Sequence, residues 1–209
     1  MSKKILIIII SLMVVIVGGI WGFIEYKSYY DITIQFHHDN LTIDIYSNKG
    51  LTETVSNNKS LRLKRGNYYY TPQGDLFSND PIYFSINSNE TVEIDPSYSD
   101  QYLISLLNDN QTTIHQALIE KYPIISSNYT IIDEQLYRHG EWYSARLVQQ
   151  TEEPADMPDI YRVILENKDG QWVIAVSPRL IISRLDFPNI PKEVISSVNA
   201  APSNDAYSL

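Results

Sequence analysis

The sequence predicts an α+β protein that begins with a transmembrane helix, continues as a small antiparallel β-sandwich and ends as a helix with an antiparallel β-meander. Three observations predict it: an uncharged apolar stretch, then residues that alternate between apolar and polar, then a helical apolar stripe followed by four strand-like runs. We divide the chain into a cytoplasmic N-terminus (1–4), an anchor (5–24), a β-sandwich module (28–96), an α+β module (99–199) and a flexible tail (200–209).

Composition sets limits on the chemistry of the chain. Hydrophobic residues make up 44% of the 209 positions and charged residues 20%, which is enough to bury a core. The net charge is −9 and the basic residues are scattered, which argues against a nucleic-acid partner. Cysteine is absent, so stability must come from packing and no thiolate chemistry is available.

Residues 5–24 are long enough to span a bilayer, because twenty helical residues extend about 30 Å. Lys3 and Lys4 precede them, which places the N-terminus in the cytoplasm and the folded part outside the cell membrane. A cleaved signal peptide is the alternative, but its apolar stretch is usually shorter and ends at a small-x-small site. We therefore predict a retained single-pass signal anchor, with the bilayer as its partner.

Alternating apolar residues in Asp31–Tyr46 predict a β-hairpin, since a period of two is typical of half-buried strands. Further strands are predicted at 60–63, 67–71, 82–86 and 91–94. Several short strands at this spacing favour a small antiparallel sandwich. The segment Leu61–Tyr70 resembles the end of a PEGA domain, in which an apolar alternation leads into a Gly-Xaa-Tyr turn. The resemblance covers 31–96, lacks the Pro-Xaa-Gly-Ala segment expected near 47–54, and implies a binding or spacer role in the cell envelope.

Tyr68, Tyr69 and Tyr70 form a possible interaction surface for a glycan or a protein. Alternation puts Tyr68 and Tyr70 on one face and Tyr69 on the other, so at least one of these faces belongs to the core. His37 and His38 with the neighbouring Asp39 offer metal-binding groups, but adjacent side chains diverge, so we interpret them as a polar turn. No metal or cofactor is predicted.

The second module begins with two predicted helices, Asp100–Leu107 and Gln111–Lys121, with Asn110 as the N-cap of the second. Ile114 and Leu118 form a helical stripe that must pack on something. Strands are predicted at 129–136, 141–149, 160–167 and 171–177, and a short closing helix at 192–198.

Asp169-Gly170 predicts a tight hairpin turn between the last two strands, because both residues accept a positive φ angle. Trp142 and Trp172 are predicted to be core residues of neighbouring strands. Alternation further predicts that Trp172, Ile174 and Val176 lie on one face, over the helix.

A helix followed by such a meander is similar to cystatin-like and NTF2-like folds, which host many functions. Several short words, among them Glu120–Pro123, His139–Tyr143 and Gly170–Trp172, resemble an uncharacterised family of membrane-anchored proteins from reduced-genome, episymbiotic bacteria. This resemblance covers 100–199. It implies an envelope location and assigns no catalytic residue.

His139 and Glu141, with Asp133 and Glu134 nearby, could act as a general acid and base or as an interaction surface. The alternative, which we favour, is that the segment around His139-Gly140 is a solvated turn. No nucleophile elbow, phosphate loop or zinc-protease motif is present.

We therefore predict a non-enzymatic binding or assembly module at the bacterial cell surface, with a protein or an envelope polymer as its partner. The first alternative is a subunit of a membrane machine, such as a secretion or pilus-like system, held through its transmembrane helix. The second alternative is an envelope hydrolase.

Overall fold

In a computed structural model, residues 13, 16, 17, 28–39, 41–150 and 158–200 are described. The chain divides into two compact units, Met1–Pro96 and Ser97–Leu209. Four parts of the chain lie wholly or mostly outside the described residues: the predicted N-terminal segment 1–4, the predicted anchor 5–24, the segment 151–158 and the tail 200–209.

No helix among the described residues is long and apolar enough to cross a membrane. The longest described helix has 22 residues, but Asp109 and Lys121, among other polar residues, make it unsuited to hydrocarbon. For the described residues, this finding corrects the predicted fold class, which began with a transmembrane helix, and it leaves the predicted single-pass signal anchor without support. The location outside the cytoplasm stays a prediction.

The first unit contains seven described strands: β1 (Tyr29–Phe36), β2 (Ile43–Ser47), β3 (Gly50–Val55), β4 (Lys59–Lys64), β5 (Gly66–Pro72), β6 (Ile82–Ile86) and β7 (Glu90–Ile94). They form a three-stranded sheet in the order β4-β1-β7 and a four-stranded sheet in the order β3-β2-β5-β6. Each sheet buries one row of apolar side chains, including Ile32 and Ile34 in the first and Ile43 and Ile45 in the second. This is partly consistent with the predicted sandwich.

The predicted hairpin over Asp31–Tyr46 is wrong, because β1 and β2 belong to different sheets. β1 pairs antiparallel with β4 and parallel with β7, whereas β2 pairs with β3 and β5. The parallel pair also means that the unit is not wholly antiparallel. Alternation identifies the buried side of each strand but does not identify the strand beside it.

The second unit contains α1 (Asp100–Lys121), α2 (Ile125–Asn128), β8 (Tyr129–Tyr137), β9 (Trp142–Gln149), β10 (Ile160–Lys168), β11 (Gln171–Arg179) and α3 (Lys192–Asn199). The strands form an antiparallel meander in the order β11-β10-β9-β8. α1 packs on one face through Ile114 and Leu118, and α3 packs on the other through Val194 and Val198. Cover on both faces explains why β9 is buried along nearly its whole length.

α1 is one continuous helix, so the predicted break before Gln111 is wrong. Asn110 is not an N-cap. Its side-chain amide donates to the carbonyl of Leu106 at 2.8 Å, four residues earlier, which is a bond that helical backbone permits. The N-cap is Ser99, whose hydroxyl accepts from the backbone N–H of Tyr102.

The Asp169-Gly170 hairpin turn is confirmed, with φ angles of 53° and 84°. Trp142 and Trp172 are buried as predicted, but they lie on opposite faces of the sheet, and β10 separates their strands. Val176 does not share the face of Trp172. The pairing of β10 with β11 shifts at this point. Ile164 lies opposite Val176, but the next residue, Leu165, lies opposite Ile174, so β11 contains one extra residue. This bulge turns Val176 to the face covered by α3.

Candidate binding surface

A row of tyrosines crosses the outer face of the four-stranded sheet in the first unit. Tyr46 of β2 lies opposite Tyr69 of β5, and Tyr69 lies opposite Tyr83 of β6. Leu51 of β3 continues the row on the other side of Tyr46. We call Tyr46, Tyr69 and Tyr83 the tyrosine row. Tyr83 is 74% exposed and Leu51 is 58% exposed, so the row is open at both ends.

The rings of the tyrosine row contact one another in sequence. Tyr46 and Tyr69 stack nearly parallel with ring centroids 5.0 Å apart, and Tyr69 and Tyr83 are tilted with centroids 5.6 Å apart. None of the three hydroxyls has a hydrogen-bond partner among the residues that the structure describes. The row therefore offers apolar area and three polar tips to a partner.

Of the predicted surface residues Tyr68, Tyr69 and Tyr70, only Tyr69 reaches this outer face. Tyr68 and Tyr70 are buried on the inner face at 7% and 3% exposure. Burial raises the pKa of both hydroxyls. The Tyr68 hydroxyl donates to the carbonyl of Lys64 at 2.8 Å, which ties the start of β5 to the end of β4. The prediction from the sequence missed Tyr46 and Tyr83, although their positions in alternating strands mark them as outward-facing.

Polar pairs border the tyrosine row on each side. Asp44 accepts hydrogen bonds from the hydroxyl of Thr54 and from the side-chain amide of Gln73, the latter at 2.9 Å. On the other side Ser85 donates to the side-chain oxygen of Asn67 at 2.8 Å. An aromatic centre with a hydrogen-bonded polar rim is the usual anatomy of a protein interface.

β6 is an edge strand whose sequence, Ile-Tyr-Phe-Ser-Ile, contains no charge. The other edge strands of the described sheets each carry at least one charged residue: β3, β4, β7, β8 and β11. Charge on an edge strand opposes the addition of another strand. Among the described ranges, no backbone hydrogen bond reaches the side of β6 that faces away from β5.

His139 and Glu141 lie in the turn between β8 and β9, as expected, but Gly140 is buried and His139 is half-buried, so the turn is only partly solvated. The His139 ring packs edge-on against Tyr98 with centroids 5.0 Å apart. The Glu141 side chain is exposed, and its backbone carbonyl accepts from the N–H of Asn167 at 2.7 Å. Gly140 has a φ of 78°, which strains any residue with a Cβ, and a Cβ there would lie 2.5 Å from Leu106 Cδ2, so the Leu106 side chain would have to move.

Asp133 and Glu134 point to opposite faces of the sheet, as successive residues of a strand do, and the pairing of β8 with β9 is irregular at these residues. The Glu134 carboxylate faces α1 and accepts from Gln111, His115 and Tyr143, each at 2.8 Å. Asp133 pairs with Arg146, whose guanidinium also donates to carbonyls at the end of α3. Both carboxylates thus anchor helices to the sheet, and neither converges with His139 or Glu141 on a common site.

The histidines after β1 bind different carboxylates. His38 contacts Asp95 at 3.0 Å, and His37 contacts Glu93 at 3.4 Å. Both contacts connect the end of β1 to β7, the parallel neighbour. The two imidazoles therefore do not converge with Asp39 on one metal ion.

Comparison with known proteins gives no family. No family model matches the chain, and no curated protein matches it. Among solved structures, the chain is similar to the crystal structure of a DUF3823 family protein from Parabacteroides merdae. The match has 10% identity, covers 77% of this chain and 85% of that chain, and has a TM-score of 0.27, which is too low to carry an argument. The resemblances of 31–96 and 100–199 described above stay predictions.

Proposed function

We propose that this protein is a non-enzymatic binding module that takes a protein partner along β6 and the tyrosine row. The observation that carries the proposal is the combination found in β6: it is the end of an exposed tyrosine row and, among the described edge strands, the one without charge. An extended segment of a partner can add to such an edge through backbone hydrogen bonds and place its side chains against the row.

A protein partner is favoured over an envelope polymer by the geometry of the rings. A sugar stacks on an open ring face, but Tyr46 and Tyr69 present their faces to each other at an interplanar angle of 9°. Their edges and hydroxyls remain for a partner. Tyrosines used in this way are common at the centres of protein interfaces, where they combine apolar area with hydrogen bonding.

The proposal that the module is not an enzyme is supported by the structural contacts of the buried and half-buried charged side chains in the second unit. Glu134, Asp133 and Arg146 are engaged in contacts that connect helices to the sheet of the second unit. The predicted acid and base, His139 and Glu141, lie in the turn between β8 and β9.

Photo-crosslinking in the native cells tests the proposal. Benzoylphenylalanine replaces Tyr83 in the full-length protein, and the matched control places it at Tyr29, a tyrosine 39% exposed in the other sheet of the same unit. We expect a discrete protein adduct from position 83 that is absent from position 29. The same adduct from both positions would contradict a partner at β6. An adduct whose attached partner resists protease digestion would show that the partner is not a protein.

Edge variants then test strand addition. Tyr83→Lys gives β6 the kind of charge that the other edge strands carry, whereas Tyr83→Phe keeps the ring. Because position 83 carries the substitution in these variants, benzoylphenylalanine is placed at Ser85, which is also exposed on the outer face. The adduct should persist with Tyr83→Phe and fall with Tyr83→Lys. Equal yields from the two variants would exclude β6 as the site of addition.

A further inference from the structure

A basic cleft of about 450 Å³ lies in the first unit, at the end of the sheets where β2 turns into β3 and β4 turns into β5. Its lining includes Lys49, Arg62, Lys64 and Arg65. No acidic residue is present among the lining residues that the structure describes, although the chain as a whole carries a net charge of −9. The nearest described carboxylate by register is Asp31, which lies opposite Arg62.

The cations come from two parts of the chain, the turn with Lys49 and the stretch 62–65, so they do not all lie along one strand. Lys49 belongs to the turn before β3, Arg62 and Lys64 to β4, and Arg65 to the turn before β5. The side chains of Lys49 and Arg65 form no ion pair with any described residue. Their charges are therefore not neutralised within the described part of the unit.

Backbone and ring contacts hold this arrangement in place. The N–H of Arg65 donates to the carbonyl of Ser28 at 2.7 Å, and the Tyr68 hydroxyl donates to the carbonyl of Lys64. The Arg62 guanidinium and the Lys64 ammonium lie 6.0 and 5.9 Å from the centroid of the Tyr29 ring. Cation–π contact with one ring brings these two cations to the same side of the cleft.

Neutral donors complete the lining. Asn67 accepts from Ser85 through its side-chain oxygen, which leaves its two amide N–H donors available to a ligand. Guanidinium forks, ammonium groups and amides match an oxygen-rich anion, and donors from several directions suit a tetrahedral group better than a planar one. The cleft volume lies in the range of about 300 to 1,000 Å³ that small-molecule sites occupy, which exceeds a single inorganic ion.

We propose that this cleft binds the phosphate group of a small phosphorylated molecule or of a phospholipid headgroup, with the organic part against Tyr29. The site is separate from the tyrosine row, and it does not depend on the proposed protein partner. Lys49 and Arg65 contribute the charges that no described residue neutralises, and the phosphate accepts hydrogen bonds from them.

Titration of the full-length protein with glycerol 3-phosphate tests the site, with calorimetry as the readout and glycerol as the neutral control. The double variant Lys49→Gln/Arg65→Gln should raise the Kd by about tenfold or more, because two charge-assisted hydrogen bonds are lost. Lys59→Gln is the matched control. It removes one positive charge from β4 outside the cleft, where Lys59 pairs with Glu53 at 2.7 Å, and should leave the Kd nearly unchanged.

Vesicles distinguish the two sources of the phosphate. Sedimentation with phosphatidylglycerol vesicles, but not with phosphatidylcholine vesicles, and its loss in the double variant would assign a lipid headgroup. Binding of glycerol 3-phosphate without vesicle binding would assign a soluble phosphate. The proposal is overturned if neither probe binds, if glycerol binds as well as glycerol 3-phosphate, or if Lys59→Gln weakens binding as much as the double variant. Unchanged thermal unfolding of the variants shows that any loss is local.

Discussion

The two four-stranded sheets of this protein differ in what covers their faces. In the second unit, α1 and α3 pack on opposite faces, and the aromatic residues of the sheet, such as Trp142, Tyr143 and Trp172, are buried. In the first unit, the sheet β3-β2-β5-β6 buries Tyr68 and Tyr70 on one face and exposes Tyr83 on the other. An aromatic row therefore stabilises the fold where a helix covers it and is available for binding where the face is open.

The largest effect should follow the loss of a covered aromatic. Trp172 is 8% exposed and belongs to the core that contains Ile114 and Leu118 of α1. Its ring packs edge-on against Tyr143, with ring centroids 6.3 Å apart. Trp172→Ala should lower the free energy of unfolding of the second unit by about 3 to 5 kcal/mol. Urea unfolding with separate probes for the two units should show no change in the first.

Val173 provides the control, because it is the next residue of the same strand and is 44% exposed. Val173→Ala should cost far less than Trp172→Ala. Similar losses from the two variants would show that the face covered by α1 does not carry the stability of this unit.

A comparable loss is expected when a buried cation that holds α3 is removed. Arg146 is 5% exposed, pairs with Asp133 and donates to the carbonyls of Val198, Ser197 and Ala200 at 3.2, 3.1 and 2.7 Å. Arg146→Ala should lower the free energy of unfolding by about 3 to 5 kcal/mol, because Asp133 and the carbonyls of Ser197 and Ala200 lose this donor.

Arg146→Lys keeps the charge but cannot supply the forked set of donors. Its loss in urea unfolding should lie between those of the parent and Arg146→Ala. If the alanine variant unfolds like the parent, Arg146 does not hold α3, and apolar packing with contacts such as Arg162 to the carbonyl of Val198 does so instead.

An intermediate effect is expected at Tyr143, whose hydroxyl donates to Glu134 at 2.8 Å. Burial, and then the charge of Glu134, raise the pKa of this hydroxyl far above that of an ordinary tyrosine. Tyr143→Phe should cost about 1 to 2 kcal/mol at neutral pH through the lost hydrogen bond.

Tyr143→Phe should also change how the free energy of unfolding depends on pH in the alkaline range. Since the folded pKa is raised, the stability that Tyr143 contributes is fully present below the unfolded pKa of about 10 and is lost as pH rises above it. Urea unfolding between about pH 9 and pH 11 should show a smaller decline for Tyr143→Phe than for the parent. An equally steep decline would mean that Tyr143 is not the group that resists ionisation.

The smallest effect on stability should occur on the open face. Tyr83→Thr keeps a residue of high strand propensity in β6 and removes an exposed ring, so the free energy of unfolding should fall by about 1 kcal/mol or less. Ile86→Ala, on the inner face of the same strand, should cost about 2 to 5 kcal/mol because Ile86 is fully buried. A large loss from Tyr83→Thr would show that the tyrosine row is structural.

Sequence patterns correctly predicted the features that depend on residues close together in the sequence. Alternation separated Tyr69 from Tyr68 and Tyr70, and the residue chemistry of Asp169-Gly170 located a hairpin. The same reasoning failed where partners are distant in sequence. It paired β1 with β2, although β1 lies beside β4 and β7, and it missed the bulge that turns Val176 away from Trp172.

The candidate site was only partly accessible to sequence reasoning for a related reason. Tyr46, Tyr69 and Tyr83 lie on three strands, and their register across the sheet is not contained in any local pattern. The basic cleft similarly joins Lys49 to Arg65 across two turns. The anchor prediction, which combined apolar length with the flanking Lys3 and Lys4, falls mostly outside the described residues, and no described helix meets the requirement for crossing a membrane.

The affinity of the captured partner for β6 variants tests the central claim most directly. The partner identified by crosslinking is purified and titrated against the full-length parent, Tyr83→Phe and Tyr83→Lys in a calorimeter. We predict that Tyr83→Phe binds within about threefold of the parent and that Tyr83→Lys loses about thirtyfold or more, as expected for a residue at the centre of an interface. All three proteins should have the same urea midpoint. Parent-like affinity of Tyr83→Lys would contradict the claim that the open face of this sheet is the binding surface.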